Sequence, residues 1–369
     1  MKILYDHQIF TQQHYGGISR YFFELIRRFD GIENSCEVAT LFTENAYYNN
    51  NYDPKLKSFF PNKNFKGKSR FISTANQYVS NHKISNGNYD VFHPTYYDKY
   101  FLNGGNKEKR PFVVTFYDMI HEKFCGQFES LKNDTKIFYQ KKELLEKSSK
   151  VIAISETTKN DIMEFFDVDA GKIDVVYLGS SLECFDISSK PLIAEDYILF
   201  VGNRSEYKNF SFFIITMAEL LIDNNLKVVC AGGGDFTLEE LNVLASLKLE
   251  NRVVYKKIID DKILSNYYAH ALFFCFPSLY EGFGIPVLEA FASSCPLLLS
   301  NGGSLPEVGG DAAVYFDPTV ADSLKSAASK LINDESLRRS IKEKGKLRLD
   351  QFSWDKTFQD HLKVYESVI

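Results

Sequence analysis

The chain has 369 residues, a formal net charge of −5, 44% hydrophobic and 25% charged residues. One hydrophobic core rarely grows past roughly 250–300 residues, so two domains are expected. Residues 1–185 carry 24 basic and 23 acidic side chains and the rest 19 and 25, so neither half has the bulk positive charge of a general nucleic-acid binder.

The chain opens MKILYDHQIF and turns polar at once, unlike a signal peptide. KILYD (2–6) reads as a buried strand, and HYGGISRYFFELIRRF (14–29) as a Gly16-Gly17 turn running into a helix over 19–29. Further strands are read in CEVATLF (36–42), VFHP (91–94), FVVTFYD (112–118) and KVIAIS (150–155), with helices over 135–147 and 157–166. Between them, 54–71 carries Lys55, Lys57, Lys63, Lys66, Lys68 and Arg70 interleaved with Phe59, Phe60, Phe65 and Phe71, and no acid occurs from 54 through 89. Such a stretch suits an anionic membrane surface or a lipid-diphosphate, since each basic group near anionic lipid contributes about 1 kcal/mol. A solvated loop with some core phenylalanines suits it equally.

The polar stretch 178–196 reads as a linker, after which the pattern restarts. Strands are read in YILFVGN (197–203), KVVCAGG (227–233), RVVYKK (252–257), LFFCFPS (272–278) and PLLLS (296–300), with helices over 209–222 and 261–271. Buried strands alternating with helices predict parallel sheets and an α/β fold, in which ligands bind beyond the carboxyl ends of strands. No uncharged apolar run approaches the roughly 18 residues of a membrane span. The six cysteines form no CxxC pair and read as free thiols, mostly buried, in a reducing compartment. A cytoplasmic protein is expected, with any membrane contact peripheral at the inner face.

The most informative segment is SLYEGFGIPVLEAF (278–291). A strand ends near Pro277, and a loop Glu281-Gly282-Phe283-Gly284 follows. Pro286 is expected as the first helical residue, where its fixed φ fits and its missing N–H costs nothing. The free N–H groups of 283–287 and the helix dipole would then favour a phosphate. Glu289, expected in the first turn, could accept hydrogen bonds from two vicinal ribose hydroxyls. Glu281 stays in the loop beside whatever the phosphate carries. Upstream, FVGNRSEYKNF (200–210) places Gly202, Arg204 and Lys208 after a strand. Two fixed cations there can hold a diphosphate, each opposite-charge pair at 4 Å being worth on the order of 4 kcal/mol at an intermediate dielectric.

E-G-F-G-I-P-V-L-E resembles the signature of family 4 glycosyltransferases, and further motifs follow in that family's order over nearly the whole chain. The resemblance implies a GT-B fold: two Rossmann-like domains facing each other across a cleft. On that likeness residues 1–180 form an acceptor-binding domain, 196–350 a nucleotide-sugar-binding domain, and 351–369 a C-terminal helix crossing back to the first, with Trp354 pinning it. The resemblance assigns the leaving diphosphate to Arg204 and Lys208, the sugar to Glu281 and the ribose to Glu289. It places Gly16, Gly17, Gly202, Phe283, Gly284 and Ile285 around the donor, AGGG (231–234) beneath the nucleotide and Lys257–Ile259 against the base. Asp118 matches a family position that could bind donor-sugar or acceptor hydroxyls. Tyr117 stands where many members have histidine, which puts a histidine role there in doubt. Ser155 lies on the acceptor side, where its other reading is a plain helix cap. Family chemistry retains anomeric configuration and needs no metal. Asp167-Val168-Asp169 has no third ligand near it in sequence, so neither a metal nor another cofactor is expected.

The YKNF-type Arg-Lys motif (207–210) and YDMIHE (117–122) resemble those of bacterial mannosyltransferases of surface polysaccharide assembly. The expected reaction is therefore transfer of a hexose, mannose foremost, from a GDP- or UDP-hexose to a hydroxyl of a growing, lipid-linked glycan. The alternatives are a UDP-sugar enzyme, a non-catalytic GT-B partner that binds without turnover, and an epimerase that works without an acceptor. The sequence leaves the oligomeric state open.

Overall fold

The structure is a computed structural model. It describes all residues except 52–57, 61–62, 64, 104–109, 129–130, 132–134, 183–189 and 205. Lys55, Lys57 and Cys184 thus lie outside the described residues. The chain divides into two compact units: Met1–Leu178 with Trp354–Ile369, and Gly179–Ser353.

The first unit contains β1 (Lys2–Asp6), β2 (Ser35–Ala39), β3 (Val91–His93), β4 (Val113–Phe116), β5 (Lys150–Ala153) and β6 (Ile173–Val175). They form parallel sheets of order β2-β1-β3 and β4-β5-β6, joined by a parallel bridge between Phe92 and Phe112. β1 runs first to β2 on one side, then the chain returns to β3 on the other. The order of connection therefore reverses beside β1, which opens a crevice at its carboxyl end. The helix Trp354–Glu366 belongs to this unit. Its buried face carries Trp354, Phe358, His361 and Tyr365. Trp354 lies 6.2 Å from Tyr21 and Phe358 4.9 Å from Phe29, ring to ring.

The second unit contains β7 (Tyr197–Val201), β8 (Lys227–Ala231), β9 (Val253–Lys256), β10 (Phe273–Phe276), β11 (Leu297–Ser300) and β12 (Val314–Phe316). All pair in parallel, in the order β12-β11-β10-β7-β8-β9. A parallel sheet covered on both faces needs strands that are apolar on both sides. That is why YILF, FFCF and LLL, buried throughout, read as continuous runs. Here the order reverses between β7 and β10, and the loops after those two strands carry Arg204, Lys208 and Glu281.

Among the described residues no helix is long and apolar enough to cross a membrane. Cys230, Cys275 and Cys295 are buried free thiols and burial pushes all three up, Cys295 to about 12. Cys125 is exposed.

Candidate active site

The loop after β10 is built around Glu281. Its backbone oxygen accepts from the Ser304 amide at 3.1 Å and from Ser304 Oγ at 3.0 Å. Its side chain, about 10% exposed, accepts from Lys208 Nζ at 2.7 Å. Lys208 ends the short 3₁₀ turn Glu206–Lys208 after β7 and lies over the rings of Tyr207 and Phe276, at 5.1 and 5.3 Å. Reversal of strand order thus joins a cation and a carboxylate 73 residues apart.

The following helix is Ile285–Ala292, so Pro286 is its second residue and Glu289 its fifth, one residue deeper than the sequence suggests. Gly284 takes φ +97 as N-cap, and a Cβ there would lie 2.9 Å from Leu305 Cδ2. Val287 N–H already bonds Gly284 O at 2.9 Å. The first turn of the helix still leaves the N–H groups of Gly284 and Ile285 without intrahelical acceptors, the usual basis for anion binding. Glu289 is nearly buried and accepts from Tyr268 Oη at 3.1 Å, and the carboxylate in turn raises the Tyr268 hydroxyl, after burial as the main cause.

Arg204 is placed otherwise than a free phosphate clamp. Its side chain is only 4% exposed. Nε donates to Glu240 Oε1 at 2.6 Å, and Nη2 to the carbonyls of Gly234 and Asp235 at 3.0 and 2.9 Å. The guanidinium lies 4.7 Å from the Phe236 ring centre. Gly232, Gly233 and Gly234 all have φ near +80, and a Cβ on Gly233 would meet Gly202 O at 2.6 Å. The glycine turn is therefore left-handed, pressed on the backbone of Gly202, and tied down by Arg204. Gly202 itself has φ +107. Glu240 also closes a capping box with Thr237, which opens the helix Leu238–Ser246. Ile259 is 69% exposed, in the loop after β9.

In the first unit Gly16 and Gly17 open the helix Gly17–Ile26. Gly16 is extended, and its lack of a Cβ admits the Gln13 amide, whose Oε1 accepts from Ser19 N at 3.2 Å. Tyr117 follows β4 with its ring buried and its hydroxyl donating to Thr95 O at 3.2 Å. Burial pushes that hydroxyl well up, so Tyr117 is no substitute for an imidazole base. Asp118 is half-buried and its Oδ1 accepts from Ile120 N at 3.1 Å, just ahead of the short helix Ile120–Lys123. Ser155 is the N-cap of Glu156–Phe165, its Oγ accepting from Thr158 N at 2.9 Å.

Four contributors escaped the sequence reading: Glu240, Tyr268, Ser304 and Lys141. Glu240 had a signal, the Thr-x-x-Glu spacing of a capping box. Lys141 is wholly buried on the helix Thr135–Lys147 and bonds Glu122 Oε2 and Asp118 O, each at 2.9 Å. A lysine in a helix carries no mark of that.

The two parallel α/β units are those of a glycosyltransferase of the GT-B type. Residues 15–183 match the sequence family described as Glycosyltransferase Family 4, and residues 183–348 match Glycosyl transferases group 1. The chain belongs to the family 4 glycosyltransferases. It is 27% identical over 270 residues to O-antigen chain mannosyltransferase B of Escherichia coli, covering 69% of this chain and 70% of that one. It is 32% identical over 191 residues to O-antigen chain mannosyltransferase RfbU of Salmonella typhimurium, 52% of each. The fold is similar to that of sucrose-phosphate synthase from Thermosynechococcus elongatus (TM-score 0.76, 18% identity, 99% and 98% of the two chains). It is also similar to that of HepE from Anabaena in complex with UDP-glucose (TM-score 0.74, 16% identity, 100% of both).

Proposed function

We propose that the protein transfers mannose from GDP-mannose to a hydroxyl of a growing surface glycan, with retention of anomeric configuration. The observation that carries this is the Lys208–Glu281 pair, set beside the helix start at Gly284–Ile285 and the buried Glu289. Lys208 neutralises the leaving diphosphate together with the two open N–H groups. Arg204, paired with Glu240, holds the glycine turn in shape beneath the nucleotide. Glu281 orients the sugar, and Glu289 turns from Tyr268 toward the ribose hydroxyls. Loss of the diphosphate leaves its own oxygen to accept the acceptor proton, so the step calls on no metal. Preorganised groups of this kind are worth about 10²–10³ in rate each.

Mannose is favoured by the two O-antigen mannosyltransferase relatives. A UDP-hexose is the second reading, supported by the UDP-glucose bound to the neighbour of similar fold. In the first unit Phe60, Phe65 and Phe71 stand about half exposed near the exposed Lys63, Lys66 and Arg70. That surface suits peripheral contact with an anionic membrane that presents a lipid-linked acceptor. Lys68 contributes little there, being buried against Glu44.

The test is purified protein with GDP-mannose, UDP-glucose and UDP-galactose, with and without EDTA. Release of nucleoside diphosphate from one donor, unchanged by EDTA, supports the proposal. No release from any donor contradicts it, and loss in EDTA removes its metal-free part.

A further inference from the structure

The crevice beside β1 has its polar groups committed to one another. The wholly buried Asp6 carboxylate accepts from Gln8 N, Gln8 Nε2, Thr95 N, Thr95 Oγ1 and Tyr100 Oη, at 2.7–3.3 Å. Gln8 completes the lock through both the N–H and the carbonyl of Asp98. What the loop beyond this lock turns outward is an aromatic ring. Tyr15, directly before the Gly16-Gly17 turn, is 63% exposed.

Tyr15 is exposed yet braced by its neighbours. The backbone on its N-terminal side is stitched to the 44–46 segment by three bonds. Asn45 Nδ2 donates to Gln13 O at 2.7 Å, Ala46 N to His14 O at 3.0 Å, and His14 Nδ1 to Glu44 O at 2.5 Å. Its ring stands edge-to-face with His14 (4.9 Å, 86°) and with Tyr47 (5.6 Å, 88°). Tyr47 is backed in turn by the Phe23 ring at 6.0 Å and the Arg20 guanidinium at 5.7 Å. The outermost ring of a braced aromatic stack loses little freedom when something lies on it, which is how tyrosine supplies contact area at low entropic cost.

From this we infer that Tyr15 is the platform on which a pyranose ring of the acceptor glycan rests, its axial C–H groups against the aromatic face. A sugar ring fits because it has an apolar face for the ring and hydroxyls for the water around it. The assignment to the acceptor rests on the proposed function, which places the donor's diphosphate and ribose on the second unit. An aromatic contact of this kind contributes about 0.5–1.5 kcal/mol, so its loss is about a three- to tenfold change in affinity.

The experiment has a binding arm and a turnover arm, both on the full chain. Saturation-transfer NMR titration with octyl α-mannoside should light the sugar ring protons and give equal affinity for the unaltered protein and Tyr15→Phe, and about three- to tenfold weaker affinity for Tyr15→Ala. Tyr139→Ala, which removes another tyrosine exposed to 65%, should behave as the unaltered protein. In transfer to the same glycoside, Tyr15→Ala should raise the acceptor KM about three- to tenfold at nearly constant kcat. Unchanged affinity in Tyr15→Ala, no signal from the unaltered protein, or Tyr15→Phe as weak as Tyr15→Ala would each overturn the platform. The binding arm needs no turnover. Ring binding that depends on Tyr15 without any donor cleavage would therefore sink the transferase reading and spare the platform.

Discussion

Lys208 Nζ lies 2.7 Å from Glu281 Oε1, and neither residue would meet the other without the reversal of strand order between β7 and β10. Each is about 10–16% exposed on its side chain, so the pair is reachable yet partly desolvated. In such surroundings a charge acts more strongly on a diphosphate than it would in open water.

Lys208→Gln keeps a donor for Glu281 and removes the charge. Turnover should fall about a hundredfold or more, with a melting temperature within a few degrees of the parent. A melting loss in step with the activity loss, read by calorimetry beside the donor-cleavage assay, would show a structural lysine instead.

Arg204→Ala should behave in the opposite order. Its guanidinium holds two carbonyls of the glycine turn and Glu240, and bonds to a charged group are worth about 1.5–3 kcal/mol. Urea unfolding should show a loss of that size, larger than for Lys208→Gln. Equal stability of the two variants would mean the Arg204 contacts contribute nothing to the turn.

Gly303→Ala tests the support of Glu281. Gly303 has φ +59, and a Cβ would lie 2.6 Å from Glu281 N and closer still to its carbonyl oxygen. Backbone cannot yield as a flexible side chain does, so about 1–3 kcal/mol of strain is expected, together with loss of turnover. Gly31→Ala, also at positive φ but with nothing within 4 Å, should cost stability alone. Full activity in Gly303→Ala would show that the loop tolerates displacement.

The C-terminal helix predicts an acid-sensitive first unit. His361 Nδ1 donates to Thr357 O, so its Nε2 accepts from Tyr21, which leaves Tyr21 Oη to accept from Thr115. Thr115 Oγ1 then accepts from His93 Nε2, and His93 Nδ1 accepts from Tyr365. Every proton in this buried chain is placed, and both imidazoles are neutral. Burial lowers both, His361 to about 4. The unfolded chain takes up these protons as pH falls through about 6.5, whereas the folded His361 does so only near 4. Stability from this site is therefore full above about 7 and lost between about 6.5 and 4. Melting temperatures across that window should fall less steeply in His361→Gln than in the parent. Parallel slopes would place no titration here.

Much of this was legible in the sequence because parallel strands buried on both faces are continuous apolar runs. KILYD and KVVCA name their own strands. Three-residue strands such as IDV and VYF are too short to show a pattern. The helix Lys68–Asn86 was hidden within and beyond the basic stretch, because its buried stripe of Ile72, Asn76, Ser80 and Ile84 is half polar. Asn76 and Ser80 satisfy their burial by bonding Leu41 N, Phe42 N and Ala39 O, partners 34 to 41 residues away. In the site, the Glu281–Glu289 segment announced itself, but what surrounds it did not. Tyr268, Ser304 and Gly303 act on the two glutamates through space, and nothing in their local sequence marks that.

The most direct measurement is equilibrium titration of GDP-mannose and UDP-glucose into the unaltered protein and into Glu289→Gln. One of the two should bind the unaltered protein, and the substitution should weaken it about tenfold or more at unchanged melting temperature, as expected for loss of a charged acceptor to two hydroxyls. Binding of neither nucleotide sugar, or equal affinity in Glu289→Gln, would contradict the placement of the donor on the second unit.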